Sequence, residues 1–181
     1  MDFNTALKTK AKTDEWLTPD KAVLPLIPHL MKRNFNKIWC PFDFEDSAFV
    51  KLLKQNDFDV IYTHIENDED FFSIERDCDC IVSNPPYSFR NEVLQRLYFL
   101  DKPFAMLMNY TGLFDNKKRF DMFKENGLQL FVLLGRTCYK HRFTDFSDTP
   151  MFQSIYVCNK IFDNDIVFED YNQINDINDL F

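Results

Sequence analysis

The sequence predicts an α/β fold: an open, mostly parallel sheet with helices on both faces. Three observations predict it. Strand-like and helix-like apolar patterns alternate along the chain, the signature of βα units. Its 181 residues suffice for one full core but not for a second large domain. The apolar run Cys80-Ile81-Val82-Ser83 stops at Asn84-Pro85-Pro86-Tyr87 and is followed from Ser88 by a helix-like segment, so one strand–loop–helix unit is visible directly.

The elements follow in order. Asp20–Arg33 carries Ala22, Val23, Leu26, Ile27 and Leu30 at helical spacing, disturbed by Pro25 and Pro28. Asn36–Phe42 reads as a first strand, Asp46–Gln55 as a helix with Phe49, Val50, Leu52 and Leu53, and Asp59–His64 as a second strand. A short acidic turn and Phe71-Phe72 lead to the strand Cys78–Ser83. A helix through Val93, Leu94, Leu97 and Tyr98 returns the chain to a strand at Phe104–Met108, and a helix at Lys117–Lys124 precedes the strand Leu128–Leu134. Met151–Val157 alternates as a late strand. Residues 1–168 are expected to form one domain, and 169–181 an acidic Asn/Asp-rich tail. Ligands of such sheets bind beyond the carboxyl ends of the strands, which places Phe42-Asp43, Thr63-His64, Asp70-Phe71 and the Asn84 tetrapeptide along one rim.

Composition narrows the function classes. No stretch approaches the roughly 18 apolar residues that span a bilayer, and the start lacks a basic-then-apolar signal pattern, so a cytoplasmic protein without a membrane partner is expected. Five scattered cysteines without a Cys-x-x-Cys pair or matching His spacing read as reduced core thiols, and no metal site is expected. A net charge of −8 argues against a strongly basic duplex-binding surface. The acids are unevenly placed, however. Asp163, Asp165, Glu169, Asp170, Asp176 and Asp179 all follow Phe162 with no Lys or Arg among them, so the body of the chain is nearly neutral. Its basic residues cluster at Lys8-Lys10-Lys12, at Lys117-Lys118-Arg119, and at Arg136 with Lys140-His141-Arg142; each cluster reads either as a solvated face or as a binding patch.

The tetrapeptide carries the chemistry. Two consecutive prolines fix two torsions and remove two N–H donors, so the carbonyls of Asn84 and Pro85 have no chain partner competing for them. Asn84 adds an amide oxygen and Tyr87 a flat aromatic face. Together they could accept hydrogen bonds from an amino group on a planar ring while stacking on that ring. Such an amine is a poor nucleophile because its lone pair is delocalised, and two acceptors on its hydrogens localise the pair towards an electrophile. The plainer alternative is that the prolines end a buried strand and Tyr87 packs in the core.

With these residues the chain resembles S-adenosylmethionine-dependent amino-methyltransferases, most closely the small phage-type DNA adenine-N6 methyltransferases, over about Thr13 to Phe168. The resemblance implies a Rossmann-like methyltransferase fold with a mostly parallel seven-stranded sheet, and S-adenosylmethionine as cofactor. It implies that Asn84, Pro85, Pro86 and Tyr87 form the catalytic loop, with Asn84 and Pro85 holding the target amine and Tyr87 stacking on an extruded base. Asp14-Glu15-Trp16-Leu17-Thr18-Pro19 is similar to the family segment that caps the methionine end of the cofactor, which implies Trp16 and Thr18 as pocket residues; Thr18 and Pro19 also read as an ordinary helix start. Ile38-Trp39-Cys40-Pro41-Phe42-Asp43 occupies the place of the family's glycine-rich cofactor loop. Pro41 and Phe42 match, a cysteine stands where the leading acid belongs, and both glycines are missing. Asp43 is either the compensating carboxylate or a cap of the following helix. With Ser47-Ala48-Phe49-Val50, this loop is similar to a variant in small phage-encoded relatives. His64 stands where the family usually places an acid against the cofactor ribose, and reads either as that contact or as a structural histidine; Asp70-Phe71 matches the segment that faces the cofactor adenine, Asp70 as acceptor and Phe71 as packing surface.

No room remains for a large recognition domain, so the polar segment Arg136–Pro150 is the candidate for contact with nucleic acid, DNA being the expected partner. Arg136, Lys140 and Arg142 could meet phosphates, and Tyr139 and Phe143 could stack; a plain hairpin connection is the alternative. Two other readings of the whole chain stay open: an RNA adenine or protein glutamine methyltransferase, and a non-catalytic binding or inhibitory protein on the same scaffold. The oligomeric state is not legible.

Overall fold

The computed structural model describes residues 16–141 and 153–170. The chain is organised by where its prolines, caps and alternating apolar residues fall. Strand β1 (Trp16–Leu17) runs into a segment that the prolines cut into three: α1 (Asp20–Val23), a 3-10 turn (Leu24–Leu26) and α2 (Ile27–Lys32), rather than one continuous helix. Each break falls where Pro25 or Pro28 removes an intrahelical donor. Strand β2 (Lys37–Cys40) stops at Pro41. Helix α3 (Ala48–Gln55) is capped by Ser47, whose Oγ accepts from the Val50 N–H at 3.3 Å.

Strands β3 (Asp59–Tyr62) and β4 (Cys80–Ser83) follow, and α4 (Arg90–Leu100) begins after the tetrapeptide and one 3-10 turn. Next come β5 (Phe104–Asn109), α5 (Lys117–Asn126) and β6 (Gln129–Leu133). The remaining strands are β7 (Lys140–His141), β8 (Ser154–Asn159) and β9 (Ile166–Glu169). The expected late strand thus lies at 154–159, while Met151 falls outside the described residues. Three strands have no counterpart in the sequence pattern: the short β1 and β7, and β9, which ends at Glu169, where the acidic tail is expected to begin.

Seven strands form one sheet in the order β3-β2-β4-β5-β8-β6-β9. All neighbours are parallel except β8, which runs antiparallel to both β5 and β6. The chain passes from β2 outward to β3, then crosses back to lay β4 on the other side of β2. The strand order therefore reverses between β2 and β4, and a crevice opens beyond their carboxyl ends.

The period-2 alternation divides the core into two layers. On one face Ile38, Cys40, Val82, Ala105 and Leu107 pack with Leu26, Leu30, Phe49 and Leu53 from α2, α3 and the turn before them. On the other, Trp39, Ile81, Phe104, Met106 and Met108 pack with Val93, Leu94, Leu97 and Phe123 from α4 and α5. Helices cover both faces, as expected. The free thiols of Cys40, Cys80 and Cys158 are fully buried and their pKa is pushed well up by desolvation, which makes them inert core groups; Cys138 is exposed. No helix among the described residues is long and apolar enough to cross a membrane.

One exposed acid fixes the start of β2. The Asp79 carboxylate accepts from the backbone N–H of Lys37 at 2.8 Å and of Asn36 at 2.9 Å, and these bonds hold its pKa below the ordinary value. A carboxyl depressed in the folded state contributes stability above its unfolded pKa and loses that contribution as pH falls through the folded pKa. Asp79→Asn is expected to cost about 0.5–1 kcal/mol at neutral pH, an exposed-site value. Urea unfolding of the two proteins should converge as pH falls through the depressed folded-state pKa of the carboxyl; a gap that persists once it is protonated contradicts this role.

Candidate active site

The ends of β2, β3 and β4 are tied together before any ligand is considered. Pro41 ends β2 and turns the chain through Phe42, Asp43 and Phe44. Asp43 is buried; its backbone N–H donates to the Thr63 carbonyl at 3.3 Å, and its Oδ2 accepts from the Ser83 hydroxyl at 2.5 Å. Thr63 Oγ1 in turn accepts from the Trp39 indole N–H at 2.9 Å. One carboxylate and two hydroxyls therefore lock three strand ends at the switch point, all inside the core. Asp43 lies just before α3 but does not cap it, since that task falls to Ser47.

Asn84 is the first residue beyond β4. Its Nδ2 donates to Thr18 Oγ1 at 3.1 Å, while its Oδ1 is a buried acceptor with no hydrogen-bond partner among the described residues. Leaving such an oxygen desolvated and unmatched costs free energy unless a donor arrives. Pro85 is buried and Pro86 half-buried. Tyr87 is half-buried, with its hydroxyl beside Tyr139 and Asn84; burial first, and Tyr139 second, push its pKa far above the ordinary phenol value. It stays protonated at any working pH.

A cleft of about 180 Å³ opens over this switch point, lined by Thr18, Phe42, Asp43 and Asn84 together with Leu17, Asp20, Phe44, Asp46, Ser47 and Lys51. Three acidic residues line it against one lysine, Asp43 with its carboxylate held in the core by Ser83, so its field favours a cationic ligand. The structure thus brings four of the sequence candidates into one cleft. Asp20 and Asp46 were missed, because nothing local marks an acid beside a helix start as a lining residue.

Other candidates sit one layer behind. His64 is 5% exposed; its Nδ1 accepts from the Glu66 N–H at 3.2 Å, and its ring lies 4.0 Å from that of Phe44, so it backs a lining residue. Phe71 is buried against Phe42 (4.9 Å) and Trp39 (5.4 Å), a brace for the loop. The Asp70 carboxylate is occupied locally, accepting from the Phe72 N–H at 3.1 Å and the Ser73 hydroxyl at 2.8 Å. Pro41 is buried at the loop's base.

The segment expected to meet nucleic acid is placed differently from its sequence reading. Tyr139 is 1% exposed, its hydroxyl 2.6 Å from Ser154 Oγ on β8, so it is a core residue beneath Tyr87 and not a surface stacking group. The residues after it form β7, which pairs antiparallel with β1 in the register Trp16–His141 and Leu17–Lys140. This ribbon joins the segment carrying Thr18 to the one carrying Tyr139. Arg136 is exposed at its approach. Lys140 and Trp16 are placed by their backbones within the ribbon; Arg142 and Phe143 lie outside the described residues.

No family model matches the chain. A segment is 35% identical over 102 residues to the type II methyltransferase M.EcoRI of Escherichia coli, a match that covers 51% of this chain and 31% of that protein. The chain thus spans about a third of the length of that relative. A crystal structure of a class I S-adenosylmethionine-dependent methyltransferase from Listeria monocytogenes superposes with a TM-score of 0.52 at 14% identity, over 92% of this chain and 69% of that one. The fold is the Rossmann-like fold of class I methyltransferases, with a mostly parallel seven-stranded sheet in which β8 alone runs against its neighbours.

Proposed function

We propose that the protein transfers a methyl group from S-adenosylmethionine to the N6 amino group of adenine in DNA. The single observation that carries this reading is the buried, unmatched Asn84 Oδ1 at the end of β4, on the wall of an acidic cleft at the switch point. The local relationship to a type II methyltransferase and the class I fold support it.

The cleft suits the charged methionine end of the cofactor. S-adenosylmethionine carries a sulfonium and an ammonium, which match a lining that has Asp20, Asp43 and Asp46, and Phe42 and Phe44 supply apolar surface. When bound, it supplies an electrophilic methyl group, whose sulfur–carbon bond breaks as the nitrogen–carbon bond forms. The protein's part is orientation. Asn84 Oδ1 accepts from one hydrogen of the target amine and the Pro85 carbonyl from the other, which turns the nitrogen lone pair towards the cleft; the amine then loses a proton to solvent. Thr18 holds the amide by taking its Nδ2 donor, so that Oδ1 is the atom offered. Tyr87 stacks on the extruded base, its hydroxyl end fixed beside Tyr139. Arg136, Lys140 and Arg142 contact phosphates in this reading. With a net charge of −8, duplex affinity is expected to be modest, and because it is carried by these cations it is expected to fall steeply with salt.

The test is methylation of DNA, RNA and protein extract side by side with labelled cofactor, followed by nucleoside and amino-acid analysis. Label in N6-methyladenine of DNA is the expected result. Label confined to RNA or to glutamine replaces the substrate, and no transfer by a chain that binds the cofactor calorimetrically removes the enzymatic reading.

A further inference from the structure

The loop that follows β5 has a construction which the catalytic reading does not use. Three successive carbonyls in it are held by arginines. Arg90 Nη1 donates to the Thr111 carbonyl at 3.1 Å, Arg119 Nη2 to Gly112 at 2.6 Å, and Arg119 Nε to Leu113 at 2.9 Å. Arg119, at the start of α5, is 8% exposed, and its remaining nitrogen donates to Asn91 Oδ1 of α4 at 2.5 Å. Burying a guanidinium is costly unless its donors are matched, so this arrangement exists to hold the loop. Further bonds fix the backbone: Tyr110 N–H to the Gln153 carbonyl at 3.0 Å, and Thr111 N–H to Asn109 Oδ1 at 2.8 Å. Gly112 takes φ +68°, a left-handed turn that a side chain would strain.

What this scaffold presents is aromatic. Leu113 is buried as the anchor, whereas Tyr110 is 51% and Phe114 42% exposed, in a protein whose other aromatics mostly build the core. The position is equally specific. Ser83 at the end of β4 pairs with Met106, and β5 continues to Asn109, so the loop stands about 10 Å beyond the strand end that carries Asn84. Arg90, which grips it, lies three residues after Tyr87. Lys118 is exposed in the first turn of α5 beside it, while Lys117 is paired with Asp121 at 2.8 Å.

We infer that the Tyr110–Asp115 loop is a rigid aromatic platform that contacts the nucleic acid beside the target base, Tyr110 and Phe114 stacking on bases adjacent to it and Lys118 meeting a phosphate. The inference rests on the reading proposed above and adds the recognition surface for that site. Stacking tolerates any base because each has a π-face, and a platform ordered in advance loses little conformational entropy on binding. The basic, polar segment at 136–150 is then not the sole contact surface.

The experiment uses the full chain and two fluorescein-labelled duplexes, one fully paired and one with an adenine opposite an abasic site, which lowers the energy of extrusion. The double variant Tyr110→Ala/Phe114→Ala should bind both about tenfold more weakly than the wild type, with a matching rise in KM for DNA. Cofactor affinity by calorimetry should be unchanged, and the thermal midpoint should fall only slightly, since Tyr110 is 51% exposed and Phe114, at 42%, meets Phe123 edge-on with ring centroids 6.0 Å apart. Tyr110→Phe should stay near wild type, since stacking needs the ring. Lys118→Ala should reduce the salt dependence of binding. A double variant with wild-type affinity and KM on DNA that the wild type methylates overturns the platform alone, and so does one that loses kcat with affinity intact. A wild-type chain that neither binds nor methylates either duplex overturns the functional reading and the platform with it.

Discussion

Asn84→Ala is expected to lower methyl transfer by about 10²–10³-fold, the size of effect seen when one preorganised polar group is removed from a reacting centre. The argument is geometric. Asn84 has its two amide atoms assigned to different tasks: Nδ2 is taken by Thr18, and Oδ1 is buried and unmatched. Alanine deletes the acceptor but leaves Thr18 with a hydroxyl that is half-buried and can turn to other partners. Fold and cofactor affinity should therefore survive. Asn84→Asp separates the tasks: the carboxylate still accepts from the amine, and Thr18 can donate to it in place of accepting. That variant should retain more activity than alanine. Single-turnover rates at saturating cofactor and DNA check this, and an alanine variant with wild-type turnover would remove Asn84 from the mechanism.

Trp39→Ala is expected to destabilise the protein by about 3–5 kcal/mol, the range for emptying a large aromatic site in a core. Trp39 is buried on β2, its ring 5.4 Å from Phe71, which in turn packs 4.9 Å from Phe42 on the cleft wall. Its indole also satisfies the buried Thr63 hydroxyl. Trp39→Phe keeps most of the volume but orphans that hydroxyl, at a cost of about 1–3 kcal/mol. The loss should reach the site as well, because Phe42 loses its brace, and calorimetry should show weaker cofactor binding by both variants. Urea unfolding measures the stability terms; a loss under about 1 kcal/mol for alanine would mean that the cavity collapses without consequence.

Much of this architecture was legible because strand and helix periods are local. The alternation Phe104, Met106, Met108 against Ala105, Leu107 reads as a strand buried on both faces, and the structure divides those residues between its two core layers. Pro25 and Pro28 were correctly read as disturbances, since a missing N–H acts wherever it stands. Strand β9 was missed for the opposite reason. Ile166–Glu169 is four residues in an acid-rich context, and what makes it a strand is pairing with β6, Leu130 to Ile166 through Leu133 to Glu169.

By itself the sequence determined the α/β order, the two-sided core, the tetrapeptide at the end of a strand, and a rim that carries Phe42, Asp43 and Asn84; of the other rim residues it named, His64 and Phe71 back the cleft and do not line it. Only the tertiary structure decided which polar groups are spent on holding the fold and which face the cleft. Arg119 belongs to a basic run that reads as surface, yet it is buried because three carbonyls and amides of neighbouring loops and helices converge on it. Tyr139 lies in a polar segment that reads as exposed, yet the β1–β7 pairing draws it under Tyr87 and onto Ser154. Asp20 and Asp46 have no local mark at all, and become lining residues only because the start of α1 and the loop after β2 lie side by side. Periodicity reports which face of an element is apolar, whereas the fate of a polar side chain is set by partners distant in sequence, and those partners exist only once the chain has folded.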